Sequence, residues 1–460
     1  MFPTATYTER RKQLCTKIGS GQILLLGNNE LGMNYAANPY HFRQDSTFLY
    51  YIGIDRPGLA AIIDAGAGET TVFGDELTME DIVWTGELPT IAEMANRAGI
   101  AHSKASAALS PTLDKSAHFL PPFRHDNLIK ISELLSLAIP AVRLCASTDL
   151  VKAVIAQRSI KTAEEIAEIE IAVRITNDIH VAAMLAARPG MREADVHAAV
   201  QEVIHRNNTL ASFPAIISTD GQILHNHSHH NTLESGRLLL VDFGAEAPDS
   251  HYAGDMTRTF PVDARFTDRQ RAVYQVVLDS QMAAISMLKP GVAYRDAHLR
   301  AARVVAEGMK SLGLMKGDLD AAVAAGAHAL FYPHGLGHMM GLDVHDMEDL
   351  GENFVGYGEG YERSQQFGLA FLRMARPLQA GFVVTVEPGI YFIPQLIDQW
   401  RGQGLHKDFI NYDAVEQFKD LGGIRIEDDY LITADGARIL GGNVPKTIED
   451  VEELRREALS

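Results

Sequence analysis

Two stretches of this 460-residue chain repeat one another at an offset of 101 residues. Ala182/Ala283, Ala183/Ala284, Arg188/Lys289, Pro189/Pro290, Gly190/Gly291, Asp195/Asp296 and His197/His298 all coincide. Each stretch opens on a capping box, Thr162 with Glu165 and Thr267 with Gln270, where a hydroxyl and a side-chain oxygen satisfy the first free amides of a helix. Each long helix then stops at Pro-Gly, and a second helix follows. Ala-rich helices ending in Pro-Gly also align by chance. The coincidences in register nevertheless point to a domain made of two related halves around a pseudo-twofold axis. His197 and His298 fall inside the second helices, as packed or solvated side chains.

The chain before this repeat reads differently. GQILLLGN (21–28), STFLYYIGI (46–54), LAAIID (59–64) and ETTVFG (69–74) are short and apolar with turn residues between, as strands of an α/β sheet are. FLPPFRHDN (119–127) reads as a loop before a helical ISELLSLA. We therefore expect an α/β domain over 1–155 and a second domain over 156–460, the latter richer in strands.

Composition removes several classes of function. The 41 basic residues against 59 acidic ones leave a formal charge of −18, and no basic run is present to meet a nucleic-acid backbone. Two cysteines, Cys15 and Cys145, make neither a disulfide framework nor a thiolate zinc site, which suits a reducing cytoplasm. MFPTATYTERRKQL lacks the apolar core of a signal peptide. ILLLG and LLLV are strand-sized, far short of the ~20 residues that a membrane helix needs. The expectation is a soluble cytoplasmic protein with no membrane or nucleic-acid partner.

Chemistry concentrates in the second half, where four acids interrupt apolar β-patterned segments. Asp242 follows Leu238–Val241. Asp255 lies in HYAGDMTRTF (251–260), Glu387 in FVVTVEPGIYF (382–392) and Glu427 in GGIRIEDDYLIT (422–433). The turn-rich Phe243–Gly254 stretch predicts a hairpin that folds Asp255 back beside Asp242. An acid inside an apolar strand is costly unless it is paired or bound to a cation. Some of these acids also suit water-facing edges or pairing with Arg258 and Arg425. Clustered together they repel one another, and two divalent cations remove the conflict. An oxygen-rich donor set with one imidazole is hard, suiting Mn²⁺ or another first-row divalent ion. Such a centre favours hydrolysis of an amide or a similar bond.

VDFGAE…YAGDMTRTFPV, HGLGHMMGLDVHD, TVEPGIYF and GGIRIEDD resemble the ordered motifs of the pita-bread metallopeptidases, in particular the aminopeptidase P and prolidase (Xaa-Pro dipeptidase) group. The resemblance covers roughly 156–445, and PYHFRQDSTFLYYIG (39–53) resembles that group's N-terminal domain. It implies an α+β pita-bread catalytic domain with internal pseudo-twofold symmetry, following an aminopeptidase P-type α/β domain. It implies two divalent ions, Mn²⁺ foremost with Zn²⁺ or Co²⁺ as alternatives. Asp242 would hold one ion, Asp255 and Glu427 would bridge both, and His338 with Glu387 would complete the second. Glu387 would also act as the base. Of the remaining histidines, His225 and His345 match substrate-side positions and His334 a supporting one. Arg425 matches an arginine that orients site groups. A peptide with proline at its second position and a homodimer or homotetramer are implied by resemblance alone.

The chain departs from the pattern in two places. Asp242 and Asp255 are thirteen residues apart where the family usually has eleven, which puts the extra length near Ala247-Pro248-Asp249. In the HNHSHH run (225–230), His225, His227 and His229 would share a face as a strand and could hold a zinc ion, but the run reads as a solvated loop in which only His225 has a role.

Between the two peptidase types, Arg373 leans toward the dipeptidase. It stands fourteen residues before Glu387, where prolidases carry an arginine for the dipeptide carboxylate, and guanidinium–carboxylate pairing suits that task. The long Glu387–Glu427 segment leans the same way. The compact His225–Asp242 spacing is more like aminopeptidase P. A non-catalytic binding protein on the same fold is the distant alternative. Trp84 reads either as a core residue or as an aromatic reaching a neighbouring subunit.

Overall fold

The computed structural model describes residues 2–460, which form two compact units. One comprises residues 2–158 with Met347–Gly351, and the other Ser159–Asp346 with Glu352–Ser460. Among the described residues no helix is long and apolar enough to cross a membrane.

In the first unit, β1 (Gln22–Leu26), β2 (Ala60–Asp64), β3 (Glu69–Phe73), β4 (His102–Lys104) and β5 (His118–Phe119) form one mixed sheet in the order β4-β3-β2-β1-β5. Leu24, Ile62, Phe73 and Phe119 carry its core onto Leu128, Ile131 and Leu135 of the helix His125–Leu135. The expected strand at 46–54 is instead a helix, Ser46–Ile52. Its aromatic, β-favouring residues lose to local capping. The Asp45 carboxylate accepts from the Phe48 amide, and Gly53 closes the other end in the left-handed region. Trp84 is 80% exposed, so it is no core residue.

The second unit realises the repeat. Helices Ala163–Ala186 and Asp268–Ile285 begin at the Thr162 and Thr267 capping boxes, and Glu193–Arg206 and Tyr294–Ser311 follow the Pro-Gly breaks. The backbone around the breaks is duplicated bond for bond. Gly190 N–H donates to Leu233 O (2.8 Å) and Leu233 N–H to Met191 O (2.7 Å). Gly291 N–H donates to Leu378 O (2.9 Å) and Leu378 N–H to Val292 O (2.8 Å). Both glycines sit at positive φ, +88° and +87°, a conformation strained for any side chain. Leu233 and Leu378 differ by 145 in number, and so do Asp242 and Glu387. Two of the four acids therefore occupy equivalent places in the two halves.

The strands of the first half are β6 (Ile216–Ser218), β7 (Leu238–Asp242) and β8 (Thr257–Pro261), in that order in their sheet. Those of the second half are β9 (Val383–Val386), β10 (Gly389–Tyr391), β11 (Gly423–Arg425), β12 (Asp428–Ile432) and β13 (Ala437–Ile439). β12 pairs with both β9 and β13, and β10 with β11. β7 and β8 are antiparallel with Asp242 opposite Thr257, so the expected hairpin forms, its turn at 248–250. Every residue of β7, β8, β9 and β12 is buried, which accounts for the unbroken apolar runs.

The segments expected as long continuous strands are broken. FVVTVEPGIYF divides into β9 and β10, GGIRIEDDYLIT into β11 and β12, and HYAGDMTRTF enters a strand only at Thr257, after an isolated bridge at Ala253. The acids cause the breaks: Asp255, Glu387 and Glu427 stand in the gaps, and Asp242 ends β7. A carboxylate in the middle of a covered strand would have nowhere to point, whereas at an interruption it reaches into a shared space.

Candidate metal centre

The strand breaks bring Asp242, Asp255, Glu387 and Glu427 together with His338. Donor atoms of Asp255, His338 and Glu427 lie within 4.8 Å of one another. His338 Nε2 stands 3.4 Å from Asp255 Oδ2 and 3.5 Å from Glu387 Oε1. The other ring nitrogen, Nδ1, lies 3.1 Å from the Met339 carbonyl. A carbonyl only accepts, so Nδ1 carries the hydrogen and Nε2 presents its lone pair to the acids, the tautomer that a metal ligand requires. The backbone is held just as firmly. Thr385 N–H donates to His338 O (3.0 Å), and His338 N–H donates to Thr385 Oγ1 (3.2 Å). Gly337 makes this approach feasible, because a Cβ there would stand 2.3 Å from Thr385 O.

A second layer of hydrogen bonds aims the acids. Thr257 Oγ1 donates to Glu427 Oε2 (2.7 Å), while the Glu427 amide donates to Thr257 O (3.0 Å). Arg425 pairs through Nη2 with Asp242, donates through Nε to Thr257 Oγ1 (3.0 Å) and through Nη1 to Tyr391 Oη (2.8 Å). Tyr391 Oη lies 2.8 Å from His334 Nε2, and His334 Nδ1 lies 2.8 Å from Gly335 O. The carbonyl again fixes the tautomer, so Tyr391 donates to Nε2 and the chain runs Arg425, Tyr391, His334, Gly335. His334 thus touches the centre only through Tyr391 and Arg425.

The remaining predicted residues surround this core. The His345 ring centroid is 4.3 Å from that of His338. Burial, then the charge of Arg425, lowers the His225 pKa, and Asp242 opposes them, which places that ring at the same centre. His225 sits in a turn and the rest of HNHSHH in a loop, with the His229 ring tilted against that of His197 (4.4 Å between centroids). Arg373 is farther out: its Nη1 is 3.5 Å from Glu352, and its charge still reaches Glu387. Tyr391, Thr257 and Thr385 were missed in the sequence. Tyr391 lies inside an apolar GIYF run that reads as core, and threonines in strands carry no distinguishing signal.

Electrostatics tests whether these residues suit cations. Burial raises all four carboxyls above their ordinary values. Asp255 is pushed up to about 6. Glu387 is pushed up to about 8 by burial, with Asp255 and Asp242 adding to the rise while Arg425 and Arg373 oppose it. Glu427 is pushed well above the usual range by burial and then by Asp255, Glu387 and Asp242. Mutually repelling buried carboxyls beside an imidazole lone pair are the donor set that hard divalent cations complete.

A pH dependence follows. Acids whose folded pKa is raised stabilise the fold fully below their unfolded values, near 4. That contribution is lost as pH rises through about 6 and about 8. The metal-free protein should melt at a lower temperature at pH 8 than at pH 5, and Mn²⁺ should restore more at pH 8. Calorimetry of Mn²⁺ binding at pH 7 in buffers of different ionisation enthalpy should show proton release; no release would contradict the cluster.

A unit of two duplicated halves with a carboxylate-rich cation site at its strand breaks defines a metallohydrolase of the pita-bread class. Residues 167–434 match the model of metallopeptidase family M24, and residues 7–118 match that of the aminopeptidase P N-terminal domain. The chain is 30% identical to Xaa-Pro dipeptidase of Homo sapiens, over 98% of this chain and 93% of that protein. It is 32% identical to the probable Xaa-Pro aminopeptidase pepP of Botryotinia fuckeliana, over 90% of this chain and 87% of that one. The solved structure of Pseudomonas aeruginosa aminopeptidase PepP superposes with a TM-score of 0.83 at 26% identity, covering 100% of this chain and 99% of that one. The chain belongs to metallopeptidase family M24.

Proposed function

We propose that this chain is an Xaa-Pro peptidase, cleaving the bond between an N-terminal residue and proline with two divalent ions, Mn²⁺ foremost. The observation that carries the reading is the convergence of Asp242, Asp255, His338, Glu387 and Glu427 at the strand breaks, with His338 Nε2 facing the acids. These five residues would hold the ions. When bound, the ions supply positive charge that polarises the scissile carbonyl and acidifies the attacking water. Glu387 would take the proton from that water and deliver it to the leaving proline nitrogen. His225 and His345 contact the substrate beside the reacting carbonyl. Arg425 keeps Asp242 in place and, through Tyr391, fixes the ring of His334. Relatives named both Xaa-Pro dipeptidase and Xaa-Pro aminopeptidase support the proline specificity.

The narrower choice is a dipeptidase, because Arg373 stands near Glu387 with a guanidinium suited to a free carboxylate at the second residue. A homodimer or homotetramer in the cytoplasm completes the reading. The test compares Xaa-Pro dipeptides with Xaa-Pro tripeptides in wild type and Arg373→Ala. A dipeptidase favours the former and loses that preference in the variant. If tripeptides win and the variant changes nothing, the enzyme is an aminopeptidase.

A further inference from the structure

Glu352 caps a π-helical turn, Asn353–Tyr357, that neither composition nor spacing marks. Its two oxygens are divided between two arginines: Oε2 is 2.5 Å from Arg363 Nη2, and Oε1 is 3.5 Å from Arg373 Nη1. Arg363 is anchored separately. Its Nη1 donates to Ala370 O (3.1 Å), and its guanidinium lies over the Tyr357 ring at 5.0 Å. Tyr357 Oη donates in turn to Leu372 O (2.6 Å).

The backbones around the two partners are locked together as well. Ala375 and Arg376 N–H both donate to Gly356 O (2.8 and 3.0 Å), and a Cβ on Gly356 would fall 1.8 Å from Arg373 O. On its other side this segment packs against Gly335, the neighbour of His334: Leu372 Cα lies 2.9 Å from the Cβ position of Gly335. The loop is thus closed by Arg363, Tyr357 and the Gly356 bonds without Glu352 Oε1. That oxygen faces the Arg373 guanidinium, 3.5 Å away.

We propose that Glu352 is a positioning residue for substrate recognition, holding Arg373 so that its guanidinium meets a free carboxylate on the second residue of the substrate. The inference rests on the carboxylate-reading role given to Arg373 above. Two opposing effects act here, since Glu352 also competes with the substrate carboxylate for the same cation. Orientation prevails because Glu352 is already committed to Arg363 at 2.5 Å, whereas its contact with Arg373 is long. A guanidinium held in advance loses less freedom when the substrate arrives.

The experiment measures kcat and KM of the full chain, loaded with Mn²⁺, on an Xaa-Pro dipeptide and on its C-terminal amide. Wild type, Glu352→Gln and Arg373→Ala are compared. Glutamine keeps the shape but removes the charge, and its NH₂ cannot accept from an arginine. Glu352→Gln should raise KM for the dipeptide about fivefold relative to KM for the amide, the scale of a partly exposed ion pair. Arg373→Ala should erase the preference for the free carboxylate. A Glu352→Gln effect equal on both substrates, or no effect, overturns the positioning role while Arg373→Ala still shows its own. If Arg373→Ala itself leaves the preference intact, the reading of Arg373 fails and the role of Glu352 fails with it.

Discussion

Replacing Glu427 with alanine should abolish the two-ion site and lower hydrolysis by roughly a thousandfold, the several kcal/mol that such a centre supplies. Glu427 stands in the gap between β11 and β12, with its amide donating to Thr257 O and its Oε2 accepting from Thr257 Oγ1. It shares a 4.8 Å cluster with Asp255 and His338. Its truncation removes one of the five donors and leaves Asp255 and His338 without their third partner. The fold should survive, because the two threonine contacts are small beside the covered strands around them. Metal analysis after dialysis should find fewer than two ions per chain with an unchanged circular dichroism spectrum. Two retained ions would contradict the ligand assignment.

Arg258→Met should lower stability by about 3–5 kcal/mol, the usual result of breaking a buried charge network on one side. Arg258 is fully buried yet satisfied throughout. It reaches Asp428 Oδ1 (2.6 Å), Glu427 O (2.6 Å), Thr257 O (3.0 Å), Pro445 O (3.1 Å) and Val444 O (3.4 Å). One side chain thus ties β8 to β12 and to the segment after β13. Burial alone would raise the Asp428 carboxyl, but Arg258 and then Lys446 hold it below the usual range. Methionine fills much of the volume, and four carbonyls and half of a carboxylate lose a donor. Lys446, 2.6 Å from Asp428, softens the loss but cannot reach the carbonyls of Thr257 and Glu427. The melting temperature should fall by roughly 5–8 °C. A shift within 1 °C would show that the network contributes nothing net.

Glu427 and Arg258 show how far the sequence could be read. The acids were legible because a charge inside an apolar run is expensive, and that expense marks position without any structure. The repeat was legible because the Pro-Gly breaks recur at an offset of 101, each after a helix opened by a capping box, and the duplicated hydrogen bonds of Gly190 and Gly291 bear it out. Arg258 and Arg425 stood as possible partners for the acids, but which acid each would meet was not readable. Arg258 takes Asp428 and Arg425 takes Asp242, pairings set by strand register and not by spacing. Tyr391 was hidden for the opposite reason: a tyrosine among Ile and Phe announces packing, and only its hydroxyl's position between Arg425 and His334 reveals another task. The helix Ser46–Ile52 was misread because residue preference favoured a strand, and a single Asp45 cap with Gly53 behind it decided otherwise. Glu352 lies in a segment without periodicity, where only three-dimensional contact identifies a partner.

The central claim, a metal-dependent peptidase specific for proline at the second position, is tested most directly by one comparison. The protein is stripped of metal with a chelator, reloaded with Mn²⁺, and offered Ala-Pro, Ala-Ala, Ala-Pro-Ala and Ala-Ala-Ala, with free alanine measured as product. Hydrolysis of the proline peptides alone, absent in the stripped protein and restored by the ion, is the predicted result. Equal cleavage of the proline and alanine peptides, or full activity in the stripped protein, would contradict it.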